Sequence, residues 1–222
     1  MDESIEIIIT EDGSHSLKNT ELDETYHSIH GAIQESEYVF IKAGLEYVLQ
    51  KGQEQISILE IGFGTGLNAF LTFLHQNNAS IDYTTIEAFP IPEETYLQLN
   101  YARRLKADPK NLMALHEAKW DQQMQISSGI KLKKIEGKIQ DTSLPPNYFD
   151  LVYFDAFAPA KQPEMWELEI FEKIAASLKP GGILVTYCAK ADFKRNLKFL
   201  DFEVESLPGP PWKFEMVRAL KT

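Results

Sequence analysis

A single cysteine, Cys188, stands in 222 residues, so no intramolecular disulfide and no multi-cysteine zinc site can form, and a reducing, cytoplasmic setting is expected. Long apolar runs are missing too. No stretch approaches the roughly 20 apolar residues that span a bilayer, and the start, Met1 to Thr10, is acidic, without the basic stretch and apolar run of a signal peptide. No membrane partner is expected. Basic charge is scarce: 22 Lys and Arg face 33 Asp and Glu, a net charge of -11. Summed negative charge repels phosphates before contact, which argues against indiscriminate coating of nucleic acid. His27 and His30 have no third donor at a convincing ligand spacing, so no metal site is expected.

What charge there is lies unevenly. Residues 1–60 hold thirteen acids against three Lys/Arg, whereas 101–138 hold nine Lys/Arg (Arg103, Arg104, Lys106, Lys110, Lys119, Lys131, Lys133, Lys134, Lys138) against four acids. Either one face is locally basic, or these side chains simply solvate a helix and a strand edge.

From Ser57 onward, short apolar runs alternate with helical patterns, the order that produces a mostly parallel sheet covered by helices on both faces. Strands are expected at Ile56 to Ile61, Ile81 to Glu87, Leu132 to Ile139, Phe149 to Phe154 and Gly182 to Cys188, with a terminal pair near Phe202 to Leu207 and Phe214 to Leu220. Helices are expected at Gly66 to Gln76, Pro92 to Leu105, Pro163 to Leu178 and Lys190 to Leu200. Two regions fall outside this alternation. Residues 1–50 carry a turn at Asp12-Gly13 and a helical stretch from Ser36 to Leu49, and read as an extension packing on the core and covering the site. Residues 51–222 read as the main domain, with an insertion at about 106–128.

The strongest local motif is Glu60-Ile61-Gly62-Phe63-Gly64-Thr65-Gly66-Leu67-Asn68, an apolar strand running through three glycines into a helix. Glycines there let the backbone turn sharply and let a ligand lie against bare N–H groups at a helix start. A dinucleotide fingerprint needs Gly-x-Gly-x-x-Gly, but here the third glycine comes one residue early, which disfavours a nicotinamide oxidoreductase. Glu87 closes the next strand, where an acid can accept both ribose hydroxyls. Leu178-Lys179-Pro180-Gly181-Gly182 marks a helix-to-strand turn further on. Asp155 follows the fourth strand, either capping a turn or facing the reacting group.

The run Phe154-Asp155-Ala156-Phe157-Ala158-Pro159-Ala160-Lys161-Gln162-Pro163-Glu164-Met165-Trp166, with the glycine loop and Tyr38-Val39-Phe40-Ile41, closely resembles the methyltransferase domain of the MnmC family of tRNA-modifying enzymes. The likeness extends from Asp12-Gly13 through Tyr26-His27-Ser28 to Pro208-Gly209-Pro210-Pro211, and looks like a stand-alone version without the FAD-dependent oxidoreductase half. The resemblance implies an α/β fold of the class I S-adenosylmethionine-dependent type, Rossmann-like, with a mostly parallel seven-stranded sheet. It implies methyl transfer from S-adenosyl-L-methionine to the amine of 5-aminomethyl-(2-thio)uridine at the wobble position of the tRNA anticodon, by a monomer acting after a separate oxidoreductase.

By the same resemblance, Asp155 is catalytic, and Glu60, Gly62, Phe63, Gly64, Thr65, Gly66, Asn68, Glu87 and Asp141 hold the cofactor. Tyr26, His27, Ser28, Phe157, Pro159 and Trp166 are the substrate-side candidates. The chain departs from the family pattern at Lys138, Ala191, Trp212 and Phe214. A methyltransferase acting on a small-molecule or protein amine, and a cofactor-binding module without turnover, remain as alternatives.

Overall fold

Strands form where apolar residues run consecutively or alternate, and helices where they recur every three or four positions. The computed structural model describes residues 4–222. The first three residues of the acidic start, which are also the first three of the 1–50 segment, lie outside the described residues. Strands β1 (Ile5–Ile9), β2 (His15–Asn19) and β3 (Glu24–Thr25) make a small antiparallel sheet. A continuous helix follows, built of α1 (Ala32–Ser36), a π-helical stretch over Glu37–Glu46 and α2 (Tyr47–Gln50). Then come β4 (Gln55–Ile61), α3 (Leu67–His75), β5 (Ser80–Glu87), α4 (Glu93–Tyr96), α5 (Tyr101–Arg104) and α6 (Pro109–Glu117). The chain continues through β6 (Gln123–Ser127), β7 (Ile130–Glu136) and β8 (Phe149–Phe154) to a 3-10 turn at Pro163–Trp166. It ends with α7 (Leu168–Ser177), β9 (Leu178–Thr186), α8 (Ala191–Phe199), β10 (Phe202–Pro208) and β11 (Glu215–Lys221).

The large sheet runs β10-β11-β9-β8-β4-β5-β7-β6. Its centre, β9 to β7, is parallel, while β10, β11 and β6 join antiparallel. Eight strands stand where seven are expected. The extra one is β6, which comes from the 106–128 insertion and pairs with β7, Gln123 opposite Lys133. The rest of that insertion is α6, started by Pro109 and by Asp108, whose carboxylate accepts from the Lys110 N–H at 2.9 Å.

Successive residues of a strand face opposite ways, so β4 serves two cores. Ile56 and Ile58 pack with Phe40, Leu45 and Phe70 of the long helix and α3, while Leu59 and Ile61 pack with Phe171 and Leu197 of α7 and α8. Each such side chain, fully buried, contributes about 1.5–3 kcal/mol. The long helix lies close on the sheet at Gly44, where a Cβ would come within 3.1 Å of Tyr153 and Val185.

Two expected helices are broken. Pro163 to Leu178 divides at Glu167, whose backbone is extended (φ -71°, ψ 153°), into the 3-10 turn and α7. Residues Pro92 to Leu105 form two short helices, because the Asn100 side chain is drawn out of helical register to the N-terminal hairpin. It accepts from the His15 N–H at 2.9 Å and donates to the Gly13 carbonyl at 3.0 Å. Strand boundaries also shift: β7 ends at Glu136 rather than Ile139, and β9 starts at Leu178 rather than Gly182. Among the described residues, no helix is long and apolar enough to cross a membrane.

Candidate active site

Strand β4 pairs with β5 on one side and β8 on the other, so strand order reverses there and the three carboxyl ends open on one space. A cavity of about 1010 Å³ occupies that place. After β4 the chain turns on Gly62, Gly64 and Gly66, all at positive φ (92°, 48° and 72°). At Gly62 a side chain has no room, since its Cβ would lie 2.7 Å from the Asp155 carbonyl. Glu87 closes β5 and accepts the Gly64 N–H and the Phe89 N–H, both at 2.9 Å. A carboxylate has about four acceptor sites, so these two bonds leave capacity for a diol, with the backbone N–H groups of Phe63 and Ala88 turned to the same oxygens. Burial raises the Glu87 pKa, while the Gly64 and Phe89 N–H groups oppose the shift.

Asp155 leaves β8 with its N–H bonded to the Ile61 carbonyl at 3.0 Å, and its Oδ2 accepts from Asn68 Nδ2 at 2.8 Å. Burial pushes its carboxyl up to about 7, with the charge of Glu35 adding to the rise and Asn68 and Lys213 opposing it. Behind it, Glu60 is fully buried, flanked in register by Thr85 on β5 and Tyr153 on β8. Burial raises Glu60 well above the ordinary carboxyl range; Thr85, Tyr83 and Asn68 pull the other way, and Asp155 adds to the rise.

Of the residues expected at the site, Gly62, Phe63, Gly64, Thr65, Asn68, Glu87, Asp141, Asp155 and Phe157 line the cavity, as do Tyr26, His27 and Ser28. Glu60 and Gly66 stand behind the wall. Pro159 is off it, and Trp166 is a core residue. Its ring packs on Phe154 and Phe193, and its Nε1 donates to the Phe157 carbonyl at 2.8 Å, which fixes the loop that carries Phe157. Tyr26 meets Phe157 edge to face, centroids 5.1 Å apart, and lies against Gly64, whose Cβ would stand 3.2 Å from its ring. His27 is buried beside Ser16 Oγ, 2.9 Å from its Nδ1, and burial lowers its pKa to about 4. Lys161 ties this cover to the loop after β8, its Nζ donating to the Leu22 and Asp23 carbonyls at 2.8 and 3.0 Å.

Several contributors carry no motif of their own. Glu35, Tyr187 and Lys213 line the cavity from three separate elements or loops. Lys134, counted above among the basic residues, is only 1% exposed. It donates to the His116 carbonyl and sits 4.5 Å from the Trp120 ring centroid and 5.3 Å from that of Phe63. His116, stacked on Tyr96, has its Nε2 3.1 Å from the Thr65 carbonyl. This cluster braces the glycine loop from below. A period-2 reading of Ile130, Leu132 and Lys134 is the one signal that would have placed Lys134 inside.

A parallel sheet with its cavity at the reversal of strand order defines the Rossmann-like class of nucleotide-binding α/β enzymes. The family described as S-adenosyl-L-methionine-dependent methyltransferase matches residues 100–222, and the chain belongs to it. The protein named tRNA 5-methylaminomethyl-2-thiouridine biosynthesis bifunctional protein MnmC is 31% identical in Cupriavidus necator, over 89% of this chain and 32% of that one. Its Pseudoalteromonas atlantica counterpart is 32% identical, over 90% of this chain and 31% of that one. The chain therefore spans about a third of the length of these relatives. The crystal structure of MNMC2 from Aquifex aeolicus superposes with a TM-score of 0.78 at 26% identity, covering 98% of this chain and 71% of that one. S-adenosyl-L-methionine is the family's cofactor, and the bare glycine backbone and the spare acceptor capacity of Glu87 suit its nucleoside.

Proposed function

We propose that the protein transfers a methyl group from S-adenosyl-L-methionine to the primary amine of 5-aminomethyl-(2-thio)uridine at the tRNA wobble position, giving 5-methylaminomethyl-(2-thio)uridine. The names of the relatives support the substrate. The observation that carries the chemistry is Asp155, a carboxyl raised to about 7 at the end of β8 with Oδ2 held by Asn68. In this reading Gly62, Phe63, Gly64, Thr65, Asn68, Glu87 and Asp141 hold the cofactor, with Glu60 and Gly66 shaping the loop from behind. Tyr26, His27, Ser28 and Phe157 form the substrate side under a cover contributed by residues 1–50, while Pro159 and Trp166 set the path of the loop. The protein works as a cytoplasmic monomer, and a FAD-dependent oxidoreductase acting upstream supplies the amine.

When bound, the cofactor supplies an electrophilic methyl group on a sulfonium. An alkylamine resembles lysine, with a reference pKa near about 10.4, and freeing its lone pair at pH 7 costs roughly 4–5 kcal/mol. Asp155 meets this requirement in two ways. Its carboxylate holds the ammonium in place, and Oδ1, on the side not engaged by Asn68, takes the one proton that must leave before the nitrogen attacks. Burial also favours the neutral amine. Tyr26 and Phe157 close over the glycine loop and exclude water, so alignment dominates the remaining barrier.

Mass spectrometry of tRNA nucleosides from a strain lacking the gene tests this reading. Accumulation of the aminomethyl nucleoside, cleared by purified protein and cofactor, is the expected result; an unchanged nucleoside profile sinks it. A small-molecule or protein amine is the second reading, favoured by the net charge of -11. It predicts methyl transfer that survives RNase treatment.

A further inference from the structure

The cavity holds a further, half-buried carboxyl, Glu35, that the proposed reaction does not use. Glu35 reaches it from α1, its Oε2 accepting the Ser28 N–H at 2.8 Å. Lys213 reaches it from the loop between β10 and β11, its Nζ 4.1 Å from the centroid of the Tyr187 ring. Tyr187 in turn donates from its hydroxyl to the Ala156 carbonyl at 2.8 Å, next to Asp155. Asp155, Glu35 and Lys213 face one cavity and act on one another: Glu35 raises the Asp155 carboxyl and Lys213 lowers it, burial lowers the Lys213 ammonium while both acids oppose that shift, and burial raises Glu35 while the Ser28 N–H and Lys213 oppose that one.

We infer that Glu35 is the second carboxylate of an amine-binding site shared with Asp155, and that Lys213 is the site's built-in counter-charge. The inference rests on the proposed amine methylation and names how the amine is selected. With both carboxyls ionised, as Asp155 is above about pH 7, the two carboxylates and one ammonium leave a single negative charge, which one substrate ammonium neutralises and a hydroxyl or a phosphate does not. Lys213 has the further effect of disfavouring a second ammonium beside it, which eases loss of the proton to Asp155. No bond to Glu35 is made or broken in the transfer. It is a positioning residue for the ammonium.

The two residues therefore act with opposite signs, and a split between KM and kcat separates them from a merely structural role. Glu35→Gln keeps an acceptor for the Ser28 N–H but removes the charge. It is expected to raise KM for aminomethyl-uridine tRNA by tenfold or more, with kcat moving much less, and Glu35→Asp recovers most of the loss. Lys213→Met is expected to lower kcat by tenfold or more while KM stays level or falls. A second readout needs no RNA: calorimetric binding of benzylammonium to the full chain loaded with S-adenosylhomocysteine, where Glu35→Gln weakens affinity tenfold or more. If wild type binds benzylammonium but leaves the tRNA unmethylated, the tRNA reading fails and the carboxylate pair stands. If Glu35→Gln changes neither KM nor benzylammonium affinity by more than twofold, or if wild type neither binds benzylammonium nor methylates the tRNA, the pair is overturned and Glu35 only braces Ser28.

Discussion

In the unfolded chain Glu60 ionises near pH 4.5, whereas in the fold it holds its proton to higher pH, because burial between Thr85 and Tyr153 denies the anion water. An acid whose folded pKa is raised loses stability as pH climbs above its unfolded value, since the unfolded state then sheds a proton that the fold retains. Glu60→Gln removes this dependence. Its stability relative to wild type should improve by about 1.4 kcal/mol for each pH unit above 4.5, until the folded pKa is reached. Urea unfolding at pH 5 and pH 7 measures it, and a difference that does not grow with pH would show Glu60 ionised in the fold. Asp155 lies lower, at about 7, within the working range. Below pH 7 it is protonated and cannot take the amine's proton, so kcat/KM should fall about tenfold per unit there and level off between 7 and the amine pKa. Asp155→Asn should cut the rate by a hundredfold or more, and its residual rate should keep climbing from pH 7 to 9, because neutral amine must then come from solution. A residual rate that is flat across that span would return Asp155 to the role of turn cap.

At the scale of elements, the glycine loop is a strand-to-helix turn that owes its shape to left-handed backbone at three positions. Gly64→Ala forces a Cβ into that conformation at a cost of about 1–2 kcal/mol, and brings it 3.2 Å from the Tyr26 ring. Cofactor affinity is expected to fall on the order of tenfold by calorimetry; affinity within twofold of wild type would mean that Tyr26 and the loop move freely. The loop, Glu87 and Asp155 were legible in the sequence because each sits where an apolar run stops, and a strand's end is a local signal. The same holds for the succession of the central strands along the chain, though not for their order in the sheet. What was not legible depends on contacts between distant segments. Asn100 breaks a helix to serve His15 and Gly13, some 85 residues away, and Glu35, Tyr187 and Lys213 converge from elements with no shared motif. Trp166 carried an aromatic signal that fits a stacking platform as well as a core, and only its packing on Phe154 and Phe193 distinguishes them.

Across the whole molecule, the uneven charge of the sequence is redistributed by the fold. The acids of the N-terminal segment do not lie away from the cavity, since Glu21, Glu24 and Glu35 line it. Several of the cations are already engaged: Lys134 is buried, Arg104 donates to the Asp12 carbonyl, and Lys194 and Arg195 pair with Glu215 and Asp192. What remains exposed for phosphates includes Arg103 and Lys106 at the end of α5 and Lys131 and Lys133 on the outward side of β7. A surface that offers two to four of these cations makes few phosphate contacts, and the logarithm of tRNA affinity should then fall with the logarithm of salt at a slope of only about 2–4, near one per phosphate neutralised. Repulsion from the net negative charge does not forbid this, because it is screened beyond about 8 Å at physiological ionic strength while close contacts persist. Reversing Arg103 and Lys106 together, and Lys131 and Lys133 together, distinguishes the two surfaces. One pair should weaken tRNA binding by about tenfold at low salt and flatten the slope by about two, leaving cofactor affinity unchanged, since none of the four lines the cavity. If neither pair changes tRNA affinity at low salt, the phosphates are not held by these surfaces, and the RNA is gripped through the wobble nucleotide in the cavity or by a partner protein.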